Sequence, residues 1–420
     1  MKPTSEVTAL IWDHGIFADI ATVLAPKFKR TILYIPNFDA WKKKNEAVIG
    51  QGIPGVEVTH DPFSVLDEVD LCIFPDTGFG DLQEHMLKLG KAVWGSRRGE
   101  NLELDRVLLK RVLENRGLPV GPYEVIRGTK ALRDFLRENE DQWIKISEWR
   151  ASAESFHSPT LKEIEPKLDK LEFDLGPLKT DFEFVVESGI HDTVEIGTDQ
   201  IIVDGQLASR VMSGLEIKDS LYIARMLDSA GLPEPLKRVD EVLSQVFGEY
   251  GYRGQYSTET MVGEDGLPYV LDMTARMGNP PAPLQSRLYR NFADIIWHGA
   301  NGILLNPETE AEFGAQVILK SEWADKDGWQ PLDFPDFIRP FIHICNPCYR
   351  DGQFYSVPLR HGLKEVASVV GWGDTPEAAY ESAVEHAKEV SGCDLKFDES
   401  AWESAQKTMK QAEKFGVSVF

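Results

Sequence analysis

The densest chemistry in the chain lies in Tyr256-Ser-Thr-Glu259-Thr-Met-Val-Gly-Glu-Asp-Gly266-Leu-Pro-Tyr-Val-Leu-Asp272-Met-Thr274-Ala-Arg276. It reads as two strands joined at the turn Glu264-Asp265-Gly266. Glu259 stands seven residues before Gly266 and Asp272 six after it, so the two carboxylates can face each other across an antiparallel ladder. Two carboxylates side by side in an otherwise apolar hairpin repel unless a cation lies between them. Mg²⁺ suits that place, because it takes a few hard oxygens and fills its shell with water or nucleotide phosphates. Arg276, four residues beyond Asp272, can clamp a transferred phosphoryl group or an acyl phosphate. An exposed acidic hairpin with a salt-bridged arginine accounts for the same spacing.

Lys145 sits in Trp143-Ile-Lys-Ile146, a short apolar strand. A lysine there either faces solvent at an edge or points into a site. A strand lysine is also what kinase-like folds use to hold nucleotide phosphates. Cys345-Asn-Pro-Cys348 has C-x-x-C spacing, but no second pair exists, and only His343 lies close enough to add a ligand. A redox pair would normally open a helix after an early strand, whereas this one falls late, beside a proline. Two ordinary thiols are expected.

These residues need elements to hold them. The 420 residues suggest roughly two to four structural units. Strand signals at Val7–Trp12, Thr31–Ile35, Leu71–Phe74 and Lys91–Trp94 alternate with helical stretches such as Asp81–Leu89, closed by Gly90. That alternation predicts a doubly wound parallel sheet over residues 1–100. The turn after the first strand, Asp13-His14-Gly15-Ile16-Phe17, lacks the glycine-rich dinucleotide fingerprint, so a nicotinamide cofactor has no support.

Further along, Leu102–Arg116 reads as one amphipathic helix, stopped by Gly117-Leu-Pro119. The strand Tyr123–Ile126, the helix Lys130–Glu140 and the strand Gln142–Ile146 follow. Phe182–Val203 reads as a hairpin, with Asp204-Gly205 as the next turn, and Leu236–Tyr250 as a helix. Ala315–Leu319 and Val366–Val370 read as strands. Thr375–Val390 reads as a helix with Thr375 as its N-cap.

The net charge of −23 argues against broad nucleic-acid binding, which needs a basic footprint. No apolar run is long enough for a membrane span, and the start of the chain does not read as a secretory signal. A cytoplasmic protein, monomeric or homodimeric and acting on small molecules, is the expectation.

The order of the pieces resembles the ATP-grasp superfamily over roughly residues 90–420, with phosphoribosylamine–glycine ligase as the nearest family. Gly90-Lys-Ala-Val-Trp-Gly95, Leu104-Asp105-Arg106 and Gly117-Leu118-Pro119 are similar to its entry strand, basic helix start and stop. Arg106 stands where that family usually has lysine. The resemblance implies that Lys145 and Arg106 hold nucleotide phosphates, that the adenine meets the hinge at Glu187, and that Glu195 lies near the ribose. It also implies that Glu259 and Asp272 are metal acids, that Thr274 replaces an asparagine of the metal set, and that Arg276 is the family arginine. Met273–Pro281 is similar to the motif F-N-x-R-F-G-D-P-E, and Gly371–Ala378 to a C-terminal G-D-T turn and helix.

Some positions depart from the pattern. Ser147–Phe156, where a glycine-rich phosphate-covering loop is expected, has no glycine. The N-terminal G-G-R-E-H turn is missing, and D-P-E has become Asn279-Pro280-Pro281. Nucleotide and metal handling therefore look partly retained and amine recognition rebuilt.

The expected fold is α/β and α+β. A parallel-sheet domain (1–100) precedes an ATP-grasp domain (101–310, with a lid of about 120–185) and a small C-terminal α+β domain (311–420). The expected activity is ATP-dependent carboxylate–amine ligation through an acyl phosphate, releasing ADP and phosphate, with Mg²⁺ or Mn²⁺. The carboxylate would be an amino acid, the amine a non-standard acceptor, and Arg276 and Lys145 the catalytic pair. A non-catalytic relative that binds nucleotide or a protein partner is the alternative.

Overall fold

The computed structural model describes residues 1–36, 48–146, 155–358 and 364–420. Its first strand, Thr8–Trp12, is apolar and buried along its whole length, as a central parallel strand must be. Arg30–Tyr34 and Leu71–Ile73 flank it in parallel, and Val56–Val58 and Ala92–Trp94 complete a five-stranded sheet. The strand order reverses between Thr8–Trp12 and Leu71–Ile73, so their carboxyl ends frame a crevice. The parallel sheet read from the sequence is present.

The single helix expected over Leu102–Arg116 is two helices, Asn101–Leu104 and Arg106–Asn115. Asp105 separates them. Its backbone is extended and its carboxylate accepts the Leu108 N–H at 2.9 Å, which is N-cap geometry. The restart makes Arg106 the first helical residue and puts Lys110 one turn later on the same buried face.

The hairpin expected over Phe182–Val203 does not form, although both strands do. Glu183–Ser188 pairs with Tyr123–Arg127 on one edge and Gln142–Lys145 on the other, so neither edge is open to its successor. Ser155–Ser158 completes this four-stranded sheet, which occupies about the range expected for the lid. Thr193–Val203 pairs instead with Arg253–Gly263 and Arg210–Ile217 in a second sheet. Residues 189–192 therefore connect the two sheets.

That second sheet has ten strands. Its main path runs Pro268–Thr274, Arg253–Gly263, Thr193–Val203, Arg210–Ile217, Leu221–Asp228, Phe313–Ser321, Glu365–Gly373 and Ile342–Ile344. The hairpin of Arg210–Ile217 and Leu221–Asp228 has no counterpart in the sequence reading; its turn is Lys218-Asp219-Ser220, with Asp219 at φ +58°. The sheet joins strands from both sides of residue 310, because Leu221–Asp228 pairs with Phe313–Ser321. Helix Pro376–Lys388 packs against it and is capped by Thr375, whose hydroxyl accepts the Ala378 N–H. A small sheet of Pro347–Arg350, Gln353–Ser356, Gln330–Asp333 and Ser391–Gly392 lies beyond. No helix among the described residues is long and apolar enough to cross a membrane.

Candidate active site

Strand alternation sorts the lid side chains. Ile144, Phe184 and Val186 pack into the lid's own core. Lys145 and Glu187 fall on the other face of neighbouring strands, offset by two register positions. Lys145 Nζ lies 3.0 Å from Glu187 Oε2 and donates to the Leu271 carbonyl at 2.8 Å. With 7% exposure, Lys145 is not the solvent-facing edge residue that the sequence left open. Lys110 Nζ takes the other Glu187 oxygen at 2.7 Å. Burial raises the pKa of Glu187, yet Lys145 and Lys110 hold it below its ordinary value; burial depresses Lys110.

Glu259 and Asp272 are direct register partners, beside a bulge between Glu259 and Thr260. Each has a cation from the protein itself. Arg106 grips Asp272 with two prongs, Nη1 to Oδ1 at 3.1 Å and Nη2 to Oδ2 at 3.2 Å. Lys218 Nζ lies 3.0 Å from Glu259, 3.2 Å from Glu216 and 3.9 Å from Glu195. Burial, then the charge of Glu259, pushes Glu195 up to about 7. Burial opposes the charge of Asp272, but Arg106 and Lys145 hold its pKa below the ordinary value. Thr274 Oγ1 is buried beside them without a hydrogen-bond partner. Two facing carboxylates and an unpartnered hydroxyl are hard oxygen donors, and they fit Mg²⁺. Among the described residues no group of three or more His, Cys, Asp or Glu side chains is already arranged to hold a metal ion.

Lid and ladder enclose a cleft of about 460 Å³, lined by Lys110, Lys145, Glu187, Lys218, Glu259 and Asp272 among others. On its wall Asp141 holds His157 at 2.6 Å and His191 at 3.0 Å, and Trp143 stacks on His157. Glu187, expected at the adenine, is engaged by the two lysines. Glu195, expected at the ribose, stands in the carboxylate set. Arg276 reaches Glu103 at 3.0 Å and Asp76 at 3.5 Å, and donates to the Met277 carbonyl. Residues 147–154 of the glycine-free segment lie outside the described residues. The sequence reading missed Lys110 and Lys218. The four-residue step from Arg106 was the available signal for Lys110; for Lys218, in a turn, there was none.

No family model matches the chain, and no curated protein matches it significantly. Solved structures do. Phosphoribosylamine–glycine ligase from Thermotoga maritima superposes with a TM-score of 0.71 at 16% identity, over 93% of this chain and 99% of that one. The biotin carboxylase domain of Hydrogenobacter thermophilus 2-oxoglutarate carboxylase gives 0.67 at 13% identity, over 97% and 98%. Biotin carboxylase from Campylobacter jejuni gives 0.64 at 15% identity, over 92% of each chain. The chain has the ATP-grasp fold.

Within this ATP-grasp fold the crevice of the parallel sheet is filled by acids. Glu100 accepts the N–H groups of Gly78, Phe79 and Gly80 at 2.9, 3.2 and 2.8 Å, so the N-terminus of helix Gly80–Lys88 already holds an anion. Asp13 Oδ2 accepts from Gly15 and Phe17, while burial and the nearby Asp76 push its carboxyl up to about 7. Burial also raises the thiols of Cys345 and Cys348, so neither is a thiolate at neutral pH.

Proposed function

We propose that this chain is an ATP-dependent carboxylate–amine ligase of the ATP-grasp type, which activates a carboxylate as an acyl phosphate, passes it to an amine, and releases ADP and phosphate. The observation that carries this reading is the convergence of Lys110 and Lys145 with Glu259 and Asp272 on the walls of one cleft, with Arg106 holding Asp272. Lys110 and Lys145 set two buried charges against the single carboxylate Glu187, so this wall has positive charge to offer a phosphate chain. Glu259, Asp272 and Thr274 are the residues that would hold Mg²⁺ or Mn²⁺, which neutralises phosphate charge during transfer. Arg276, clamped by Glu103 and Asp76, offers a fixed guanidinium to the negative charge that develops on the acyl oxygen. The Hydrogenobacter domain is described with MgADP and bicarbonate, which supports a nucleotide in the corresponding cleft here.

We read the carboxylate as an amino acid and the amine as one without phosphate. The support is Glu100, which fills the helix N-terminus that a phosphorylated amine would need at the crevice. We also read three units, 1–100, 101–310 and 311–420, although the ten-stranded sheet spans the last boundary.

A non-catalytic nucleotide-binding relative is the second reading. The observation in its favour is the internal pairing of Glu259 with Lys218 and of Asp272 with Arg106. ADP release from MgATP, measured over a panel of amino acids and amines, separates the two. Release should require both partners, and phosphoribosylamine with glycine should be poor. No release from any pair, with MgATP binding intact, favours the second reading. Efficient glycinamide ribonucleotide synthesis would overturn the phosphate-free acceptor.

A further inference from the structure

Three carboxylates converge on one ammonium at the candidate metal site. Lys218 Nζ lies within 4 Å of Glu259, Glu216 and Glu195, at 3.0, 3.2 and 3.9 Å. Glu259 is also the register partner of Asp272, so this ammonium stands where the facing carboxylates require positive charge. Lys218 is carried on a turn between two strands, and its side chain is 58% exposed.

A divalent ion on Glu259 would stand within a few ångströms of Nζ, and two cations so close in a partly buried site repel strongly. Lysine and metal are therefore alternative occupants. Lys218 also lines the cleft that Lys110 and Lys145 face. Its four-carbon stem has freely rotatable bonds, so the ammonium can leave the carboxylates without any backbone motion. A free Mg²⁺ ion would turn it out into water with no new partner. MgATP brings its own phosphate oxygens into the same cleft.

We infer that Lys218 is a resident counter-ion that keeps free Mg²⁺ off Glu259 until nucleotide arrives, and that MgATP transfers it from the carboxylates to a phosphate oxygen. This rests on the reading of Glu259 and Asp272 as metal ligands. Metal and nucleotide then enter together, and one side chain acts with opposite sign on the two. It opposes bare metal and favours the metal–nucleotide complex. A lysine that only braced the hairpin would move both affinities the same way or neither.

The test is calorimetry of Mn²⁺ alone and of MgATP with wild-type protein, Lys218→Met and Lys218→Arg, with thermal melts to confirm folding. Lys218→Met should tighten Mn²⁺ alone by about tenfold or more and weaken MgATP by a similar factor, opposite shifts of the kind that removal of one charge produces. Lys218→Arg, which keeps the charge, should follow wild type. Unchanged Mn²⁺ affinity in Lys218→Met, or both affinities moving in one direction, overturns the inference while leaving the metal site standing. Wild-type protein that binds no MgATP overturns the ligase reading and the inference with it. Lys218→Gln carries the same criteria should the methionine variant not fold.

Discussion

Asp272 meets two demands at once: it takes both prongs of Arg106, and it faces Glu259 across the ladder. Asp272→Asn keeps the shape, removes the charge and leaves a buried guanidinium without its anion. Turnover should fall by at least about a hundredfold, the scale of losing one strong transition-state contact, and the melting temperature should fall with it. Asp272→Glu keeps both charge relations and should be tolerated. Steady-state ADP release at several Mg²⁺ concentrations reads both variants; an asparagine variant as active as wild type at low Mg²⁺ would show that Asp272 holds no metal. Strand spacing set Glu259 opposite Asp272 in the sequence, whereas Lys145 was given a site only by the family resemblance, since its strand left both faces open. Lys110, Glu216 and Lys218 were not visible. A lysine on an amphipathic helix, and acids and lysines at a turn, look like solvated surface until tertiary pairing gives them partners. The sequence also called for a cation between the paired acids without indicating that the chain supplies Lys218 and Arg106 itself.

At the scale of elements, apolar patterning identified the strands but not their partners. Glu183–Ser188 and Thr193–Val203 were both legible, yet pairing depends on which edges are already taken, and that is not local information. Helix periodicity likewise ran through Asp105, because a cap interrupts the backbone without disturbing the apolar stripe. The contact that joins distant elements was invisible. Asp19, fully buried beside helix Ile20–Leu24, pairs with Arg287 at 2.5 Å and Arg339 at 2.6 Å, with His343 at 3.6 Å. Burial raises the pKa of Asp19, but Arg339, Arg287 and His343 hold it below its ordinary value. Burial pushes His343 from 6.5 down to about 4. Between those values the unfolded imidazole binds a proton that the folded one refuses, so the contribution of His343 to stability falls as pH drops through that window, while carboxyls raised by burial, such as Asp13 and Glu195, contribute in the opposite direction. Asp19 adds to the His343 loss at lower pH, as its carboxylate protonates through its depressed pKa. Urea melts of wild type and His343→Gln from pH 7 to pH 4 should show different slopes, the stability difference moving in favour of the variant as pH falls, since an unfolded histidine is half charged at about 6.5. An unchanged slope would mean that His343 is not a buried neutral group.

For the molecule as a whole, composition bounded the function before any element was placed. A net charge of −23 leaves a local pocket as the economical way to bind phosphate, and helix Arg106–Asn115 and strand Gln142–Lys145 supply one with Lys110 and Lys145. The reversal of strand order in the parallel sheet was implicit in its alternating pattern, but the acids that fill its crevice were not, because Glu100 reaches Gly78 from twenty-two residues away. The joining of strands from both sides of residue 310 was equally hidden, since Leu221–Asp228 and Phe313–Ser321 pair across a gap no local pattern spans. The claim that ties these levels together is that the cleft between lid and ladder is a MgATP site. Calorimetric titration of the wild-type protein with ATP at millimolar Mg²⁺, beside Lys145→Ala, tests it most directly. The account predicts saturable, Mg²⁺-dependent binding that Lys145→Ala weakens by about tenfold or more while the variant stays folded, because Glu187 keeps Lys110 as its partner. Absence of ATP binding by the wild type at millimolar Mg²⁺, or equal binding by Lys145→Ala, would contradict it.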